Sequence, residues 1–425
     1  MRVAFYTLGC KLNQAETESL ANRFGEAGFQ LVSPNDVADI YIANTCTVTH
    51  IADRKSRHWL RLARRRNPQA LIIATGCYAQ RSRQELASLA DLVVDNTQKE
   101  HLLAFTQSSL LEERLAGRDE ANQSQRFAAV TRTRSLIKIQ DGCHSPCTYC
   151  IVPRVRPREY SLSASQIVAE VKQKVALGYK EVVLTGTKVG SYKDDGTDLK
   201  DLVQHILDET GIRRLRLSSL QPSEVSAEFL ALWQDERLCR HLHLALQSGS
   251  ETVLRRMRRS YSLGQYHRVI SLIKENIPGL AITTDIMVGF PGESDEEFRQ
   301  SYSFCQQAGF ANIHVFPFSS RPDTAAATMP GQIKDKAKQE RNRQMLDLSR
   351  NCRRRFCERF SGLTMPVLWE QETSTGSGIY SGLTANYIRV YTHSEKPLSN
   401  EITPVKLVEP HYRGIWGQIR DENPD

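Results

Sequence analysis

The feature that most constrains this 425-residue chain is a series of six short apolar or alternating segments: SLIKIQDG, EVVLTG, RLRLSS, HLHLALQSG, AITTDIMVGF and NIHVFPFS. Helical patterns separate most neighbouring pairs, the clearest being SASQIVAEVKQKVALG, DLKDLVQHILDE, YHRVISLIKENI and DEEFRQSYSFCQQAG. Strands joined through helices pair in parallel rather than as hairpins. Six such units predict a partial (β/α)6 TIM-like barrel over residues 126–360, with its chemistry at the strand exits.

The flanks have different characters. Residues 1–125 show strands at RVAFYT, DIYIAN and ALIIAT with helical patterns between them, which predicts a small parallel-sheet α/β domain. From about His101 to Arg126 the chain is polar and irregular, and LAGRDEANQSQ within it is expected to be a linker. Residues 333–360 predict a long charged helix. Residues 361–425 hold the short β-rich runs PVLWEQ, GIYSGLTANYIRVYT, EITPVKLVEP and GIWGQIR, expected to form a small β-barrel. The fold class is therefore α/β, with a β-barrel at the carboxyl end.

No apolar run is long enough to span a bilayer and the start has no apolar leader, so a soluble cytoplasmic protein is expected. Ten cysteines are too sparse in a chain of this size for a disulfide scaffold. The net charge of +8 is uneven: residues 1–125 carry +1, residues 361–425 carry -3, and the middle holds the remainder. A moderately basic middle suits a polyanion, and equally a solvated surface.

GCHSPCTYC follows the first barrel strand and places thiols at Cys143, Cys147 and Cys150. Three thiolates on one loop can hold three irons of a 4Fe-4S cluster and leave the fourth open for the amino and carboxylate groups of S-adenosylmethionine. The competing reading, a zinc site completed by His144, asks two adjacent residues to close one tetrahedron. Tyr149 would pack beside the cluster or a bound adenine, or simply in the core. In the first domain, YTLGC, IANTC and IATGC put Cys10, Cys46 and Cys77 just past three strand ends, the edge where parallel sheets gather ligands. A second three-cysteine cluster is expected there. Cys239, Cys305, Cys352 and Cys357 read as ordinary buried thiols, the last two on different faces of one helix.

Together TLGCKLNQAE, NTCTV, GCY, GCHSPCTYCIVPR, LQSGSETVLRRMRR, DIMVGFPGE and HVFPFSSRPDTAAATM resemble the radical-SAM methylthiotransferases across essentially the whole chain. The resemblance implies an amino-terminal domain with an auxiliary 4Fe-4S cluster, a radical-SAM barrel and a carboxyl-terminal TRAM β-barrel. GCKLNQAE and HVFPFS are most similar to the MtaB branch, which makes 2-methylthio-N6-threonylcarbamoyladenosine at tRNA position 37, in the anticodon loop. It further implies that Cys143, Cys147 and Cys150 serve cleavage of S-adenosylmethionine to a 5'-deoxyadenosyl radical, and that Cys10, Cys46 and Cys77 present sulfur. A second S-adenosylmethionine would give the methyl group; an external electron donor and a sulfur donor would be partners.

Thr185, Gly186, Ser219, Gln247 and Asp285 are expected at strand ends facing one cavity, where they would bind S-adenosylmethionine or end strands as polar residues commonly do. Arg154, Arg156 and Arg158, with Arg255, Arg256, Arg258 and Arg259, would grip phosphates or lie exposed, as would the arginine-rich helix at 54–66. Two departures stand out: RVRPREYS replaces an expected Arg-Gly pair, and the tail is acidic where an RNA-binding domain profits from positive charge. The alternatives are a RimO-like enzyme acting on an aspartate of a ribosomal protein, a MiaB-like enzyme acting on isopentenyladenosine in tRNA, and a non-catalytic iron-sulfur RNA-binding or electron-transfer protein.

Overall fold

A computed structural model of the chain describes residues 1–115, 133–411 and 413–420. The amino-terminal sheet has five parallel strands in the order Gln30–Val32, Arg2–Thr7, Ile40–Thr45, Leu71–Gly76 and Leu92–Val93. Two short edge strands thus join the three expected from sequence. Alternation along the central strands decides the layers. Val3, Ile40, Ile42 and Ile73 pack on the helices Lys11–Glu26 and Leu102–Leu115, through Leu20, Phe24 and Leu102. Ala4, Tyr41, Ala43 and Ile72 face Trp59 and Leu60 of the helix His50–Arg66. With both faces covered, the central strands are apolar almost throughout, as parallel sheets require.

The expectation of an irregular segment from His101 needs correction. Residues 102–115 are helical, because Leu102, Leu103 and Phe105 supply an apolar stripe that docks on Val3 and Phe24. Most of LAGRDEANQSQ lies outside the described residues.

All six expected barrel strands form: Arg134–Lys138, Glu181–Thr185, Arg214–Leu217, His241–Leu244, Ala281–Val288 and Asn312–Pro317. They run parallel in chain order, with the pairing handed across a kink from Arg214–Leu217 to Ser219–Leu220. Among the described residues no pairing joins the first and sixth strands, so the barrel is open. The helix Lys11–Glu26 covers one side, seating Ala15 against Leu136 and Val183. The helix Asp335–Glu358 covers the other, where Ser349 Oγ donates to the Ile313 carbonyl at 2.7 Å. Cys352 and Cys357 leave this helix toward two different cores.

The tail is a closed five-stranded barrel in the order Thr364–Glu372, Ile379–Thr384, Arg389–His393, Gly414–Ile419, Ile402–His411, filled by Trp369, Val390, Val405 and Ile415. It closes the bottom of the larger barrel. Arg214 donates to the Leu383 carbonyl at 2.8 Å and Arg134 pairs with Glu370 at 2.8 Å. Tyr387, at a left-handed φ of 68°, stacks on His241 with ring centroids 4.4 Å apart. The inward arginines of RLRL are neutralised there by Glu181, which receives Arg216 Nε at 2.8 Å.

Candidate active site between two cysteine trios

The amino-terminal sheet orders its strands 2-1-3-4-5, an order that places a ligand crevice at the carboxyl ends of the neighbouring strands Arg2–Thr7 and Ile40–Thr45. Cys10 and Cys46 follow those two strands and Cys77 follows the next. The loops that carry them touch. A Cβ on Gly9 would lie 2.9 Å from Cys46 Sγ, and one on Gly76 would lie 2.4 Å from the Thr45 carbonyl oxygen, with φ at +106° and +97°. Only glycine meets both demands. Asn13 ties the first two loops together by donating to the Leu8 carbonyl at 2.8 Å and the Thr45 carbonyl at 3.1 Å. Burial pushes the Cys46 thiol up to about 12.

The second trio lies on the loop after Arg134–Lys138. Gly142, at φ +75°, has the Arg158 carbonyl oxygen 1.9 Å from where its Cβ would stand. Gln140 braces the turn, donating to the carbonyls of Asp141 at 2.9 Å and Gly142 at 2.8 Å. Thr148 pins the far end: its Oγ1 donates to the Arg256 carbonyl at 3.0 Å and its carbonyl accepts from Ala326 N–H at 2.8 Å. Arg259 donates to Cys147 Sγ at 3.2 Å and to the Tyr149 hydroxyl at 3.3 Å. Burial raises the Cys150 thiol to about 12, with Cys147 and Cys143 contributing. Tyr149 packs in an apolar cluster with Met257, Met287 and Phe318.

His144 is occupied elsewhere, its Nε2 lying 2.8 Å from the Pro157 carbonyl oxygen. Among the described residues no three His, Cys, Asp or Glu side chains converge closely enough for one metal ion. A 4Fe-4S cube binds each thiolate on a different iron and holds its ligands farther apart than a zinc tetrahedron does. All-thiol donor sets on glycine-cradled loops fit the larger group.

The two trios are neighbours. Cys77 packs against Ile151 and Val155, the residues just after Cys150. Asn96 spans the same seam, its Nδ2 lying 3.7 Å from Cys77 Sγ and donating to the Val155 carbonyl at 2.8 Å. Beneath it Arg156 reaches Asp141 at 2.7 Å, Glu16 at 2.8 Å and Asn13 at 2.9 Å. Lys99 meets Glu16 at 2.6 Å, and Lys138 meets Asp141 at 2.6 Å. Burial disfavours the Glu16 charge, yet Lys99 and Arg156 outweigh it and hold the carboxyl well below the usual range. A second bolt joins buried Arg321 to Asp53 at 2.7 Å and to the Thr47 carbonyl at 3.1 Å, beside Cys46.

Of the residues expected to hold S-adenosylmethionine, Gln247 and Asp285 come together, with Gln247 N–H donating to the Asp285 carbonyl at 2.8 Å. Gln247 adopts a left-handed φ of 69°, and its buried Oε1 lacks a hydrogen-bond partner among the described residues, an acceptor that a bound amine would satisfy. Asp285 lies mid-strand rather than at a strand end, because that strand continues to Val288, and its carboxylate is 3.3 Å from His243 Nε2. Thr185 is buried, and Gly186 abuts Gln140, whose carbonyl oxygen would lie 2.8 Å from an added Cβ. Ser219 is exposed and pairs in register with His243.

The radical SAM superfamily model matches residues 137–305, and the model of Uncharacterized protein family UPF0004 matches residues 2–95. The threonylcarbamoyladenosine tRNA methylthiotransferase MtaB of Bacillus subtilis is 36% identical over 98% of this chain and 96% of its own. The MtaB of Aquifex aeolicus is 39% identical over 92% of this chain and 96% of its own. The chain belongs to the radical SAM methylthiotransferases. It is also similar to the tRNA-2-methylthio-N(6)-dimethylallyladenosine synthase of Thermodesulfovibrio yellowstonii, at 31% identity over 97% of both chains. In fold it resembles the radical S-adenosylmethionine methyltransferase TsrM of Kitasatospora setae, with a TM-score of 0.56 and 14% identity over 81% of this chain and 85% of that one. Radical SAM enzymes work with a 4Fe-4S cluster and S-adenosylmethionine. No helix among the described residues of this methylthiotransferase is long and apolar enough to cross a membrane.

Several arginines depart from the phosphate-gripping role expected of them. Arg156 is buried in the ion network, Arg256 pairs with Glu297 at 2.8 Å, and Arg259 serves the cysteine loop. Arg154, Arg158, Arg255 and Arg258 are exposed. On the helix His50–Arg66, Arg57 and Arg64 pair with Glu85 and Asp91. Arg54, Lys55, Arg61 and Arg65 are exposed and, among the described residues, make no ion pair. Asn13, Glu16, Asp53 and Arg321 escape sequence reasoning. The one available signal was that Asn13 and Glu16 follow Cys10 within the same first helical turns.

Proposed function

We infer that this methylthiotransferase converts N6-threonylcarbamoyladenosine at tRNA position 37 to 2-methylthio-N6-threonylcarbamoyladenosine, as a cytoplasmic enzyme. The observation that carries the reading is the seam between the trios, where Cys77 touches the segment that follows Cys150. Inserting sulfur at an inert adenine C–H requires the radical source and the sulfur source to face one substrate, and that adjacency supplies the geometry. Similarity to the MtaB proteins supports this substrate over the dimethylallyl one.

In this reading Cys143, Cys147 and Cys150 hold one 4Fe-4S cluster, and Cys10, Cys46 and Cys77 hold the other. When bound, the first group would supply the electron that cleaves S-adenosylmethionine, after reduction by an external donor, and the second would present sulfur that a sulfur donor replenishes; a second S-adenosylmethionine would supply methyl. Arg259 steadies the Cys147 side of its loop, and Gln247 offers its orphaned Oε1 to the cofactor's amino group. Asp285, Thr185, Gly186 and Ser219 line the strands around it. Asn13, Arg156 and Arg321 hold the two halves in register. Arg54, Lys55, Arg61 and Arg65, exposed on the helix His50–Arg66, offer phosphate contacts that the acidic tail does not.

Nucleoside mass spectrometry of tRNA from cells with and without the gene tests the reading. Loss of the methylthio nucleoside with accumulation of its threonylcarbamoyl precursor is expected. Unchanged tRNA would transfer the search to a ribosomal-protein aspartate, which the acidic tail favours. A non-catalytic iron-sulfur protein would release no 5'-deoxyadenosine from S-adenosylmethionine.

A further inference from the structure

Lys11 directly follows Cys10 and starts the helix that covers the open side of the barrel. Its side chain lines a cavity of about 650 Å³, together with the inward-facing Leu136 and Val183 and with Tyr387 of the small barrel. Tyr387 in the same cavity stacks on His241 at 4.4 Å, and His241 Nε2 lies 3.0 Å from Thr283 Oγ1, so the cavity borders the polar inner faces of the last strands. Lys11 therefore looks into the barrel from beside one cysteine trio.

Among the described residues Lys11 makes no ion pair, and every carboxylate near it is otherwise engaged. Glu181 receives Arg216 at 2.8 Å, and Glu370 receives Arg134 at 2.8 Å and Arg389 at 2.7 Å. Glu372 accepts the N–H groups of Gly376 and Gly378, each at 2.8 Å, and Asp285 faces His243 at 3.3 Å. A partly buried ammonium held in no ion pair is disfavoured, and an arriving anion would relieve it.

We propose that Lys11 binds the threonyl carboxylate of the substrate base and so distinguishes N6-threonylcarbamoyladenosine from an adenosine bearing an apolar N6 group. The assignment rests on the function inferred above. The threonylcarbamoyl group carries one carboxylate, whereas a dimethylallyl group carries none, so a single cation at the wall separates the two. S-adenosylmethionine also carries a carboxylate, but in the reading above that group is committed to the open iron. A charge-assisted hydrogen bond of this kind accounts for about ten- to a hundredfold in affinity.

The test uses the full-length protein with its clusters rebuilt and three anticodon stem-loops: one with threonylcarbamoyladenosine, one with dimethylallyladenosine and one with plain adenosine. Binding is read by fluorescence anisotropy and conversion by mass spectrometry. Wild type should prefer the threonylcarbamoyl stem-loop about tenfold or more. Lys11→Met should bring the preference close to one, and Lys11→Arg should keep most of it. Because each preference is a ratio within one protein, a general weakening of the variant cancels. A Lys11→Met protein with the wild-type ratio overturns the inference. So does a variant that loses affinity for S-adenosylmethionine alone, which would assign Lys11 to the cofactor's carboxylate. Wild type that converts the threonylcarbamoyl stem-loop without preferring it in binding overturns the role of Lys11 and leaves the function standing. Conversion of the dimethylallyl stem-loop alone overturns both.

Discussion

Replacing Arg156 by Met should uncouple the amino-terminal sheet from the barrel. Arg156 is 4% exposed, and its guanidinium touches Glu16 and Asp141 from two parts of the fold. Removing one partner from a buried charge network costs about 3–5 kcal/mol, because the remaining charges stay desolvated. The lower end applies here: Glu16 keeps Lys99 at 2.6 Å and Asp141 keeps Lys138 at 2.6 Å. About 3 kcal/mol is more than a hundredfold in the closed-to-open ratio. Hydrogen exchange of the helix Lys11–Glu26 in metal-free, reduced protein reads that ratio directly, and protection should fall by about that factor. The pH dependence has a definite sign. Lys99 and Arg156 depress the folded-state pKa of Glu16 against the opposing effect of burial. Its stabilising contribution is therefore full above the ordinary glutamate value of about 4.3 and disappears as pH falls through the lower folded value. With Arg156 gone, the helix should open at higher pH than in wild type. Unchanged protection in Arg156→Met, at neutral and mildly acid pH alike, would refute the network's role.

Changing Cys10, Cys46 and Cys77 together to Ala should lower bound iron from about eight to about four per chain, and should spare 5'-deoxyadenosine release while ending sulfur insertion; iron analysis and product chromatography check both. Gly76→Ala would place a Cβ 2.4 Å from the Thr45 carbonyl oxygen at φ +97°, so the same drop in iron is expected from one methyl group. Replacing Arg54, Lys55, Arg61 and Arg65 with Gln should flatten the log–log salt dependence of tRNA binding by up to about 3.6, at roughly 0.7–0.9 per phosphate contact. An unchanged slope from anisotropy titrations would place the RNA on another surface.

The barrel was legible because its signal is local. Period-two apolar segments separated by amphipathic helices leave few other arrangements, and all six strands form where the pattern put them. The edge strands Gln30–Val32 and Leu92–Val93 were missed because segments of three and two residues carry no measurable period. The helix Leu102–Leu115 was missed because its seven apolar residues run straight into the polar tract that follows, and the two read together as one irregular segment.

Sequence alone determined the parallel αβ order of the strands, the β-rich tail and the positions of six cysteines at strand exits or on one loop. Spacing along the chain encodes those features, and spacing is visible without folding. Only the tertiary structure decided that Cys77 stands against the loop of Cys150, that Arg156 is a buried strut rather than a surface cation, and that Lys11 lines the cavity with no ion pair among the described residues. Each of these depends on which side chains meet across more than a hundred residues of chain, and pairwise charge and burial at that range leave no local periodicity to read.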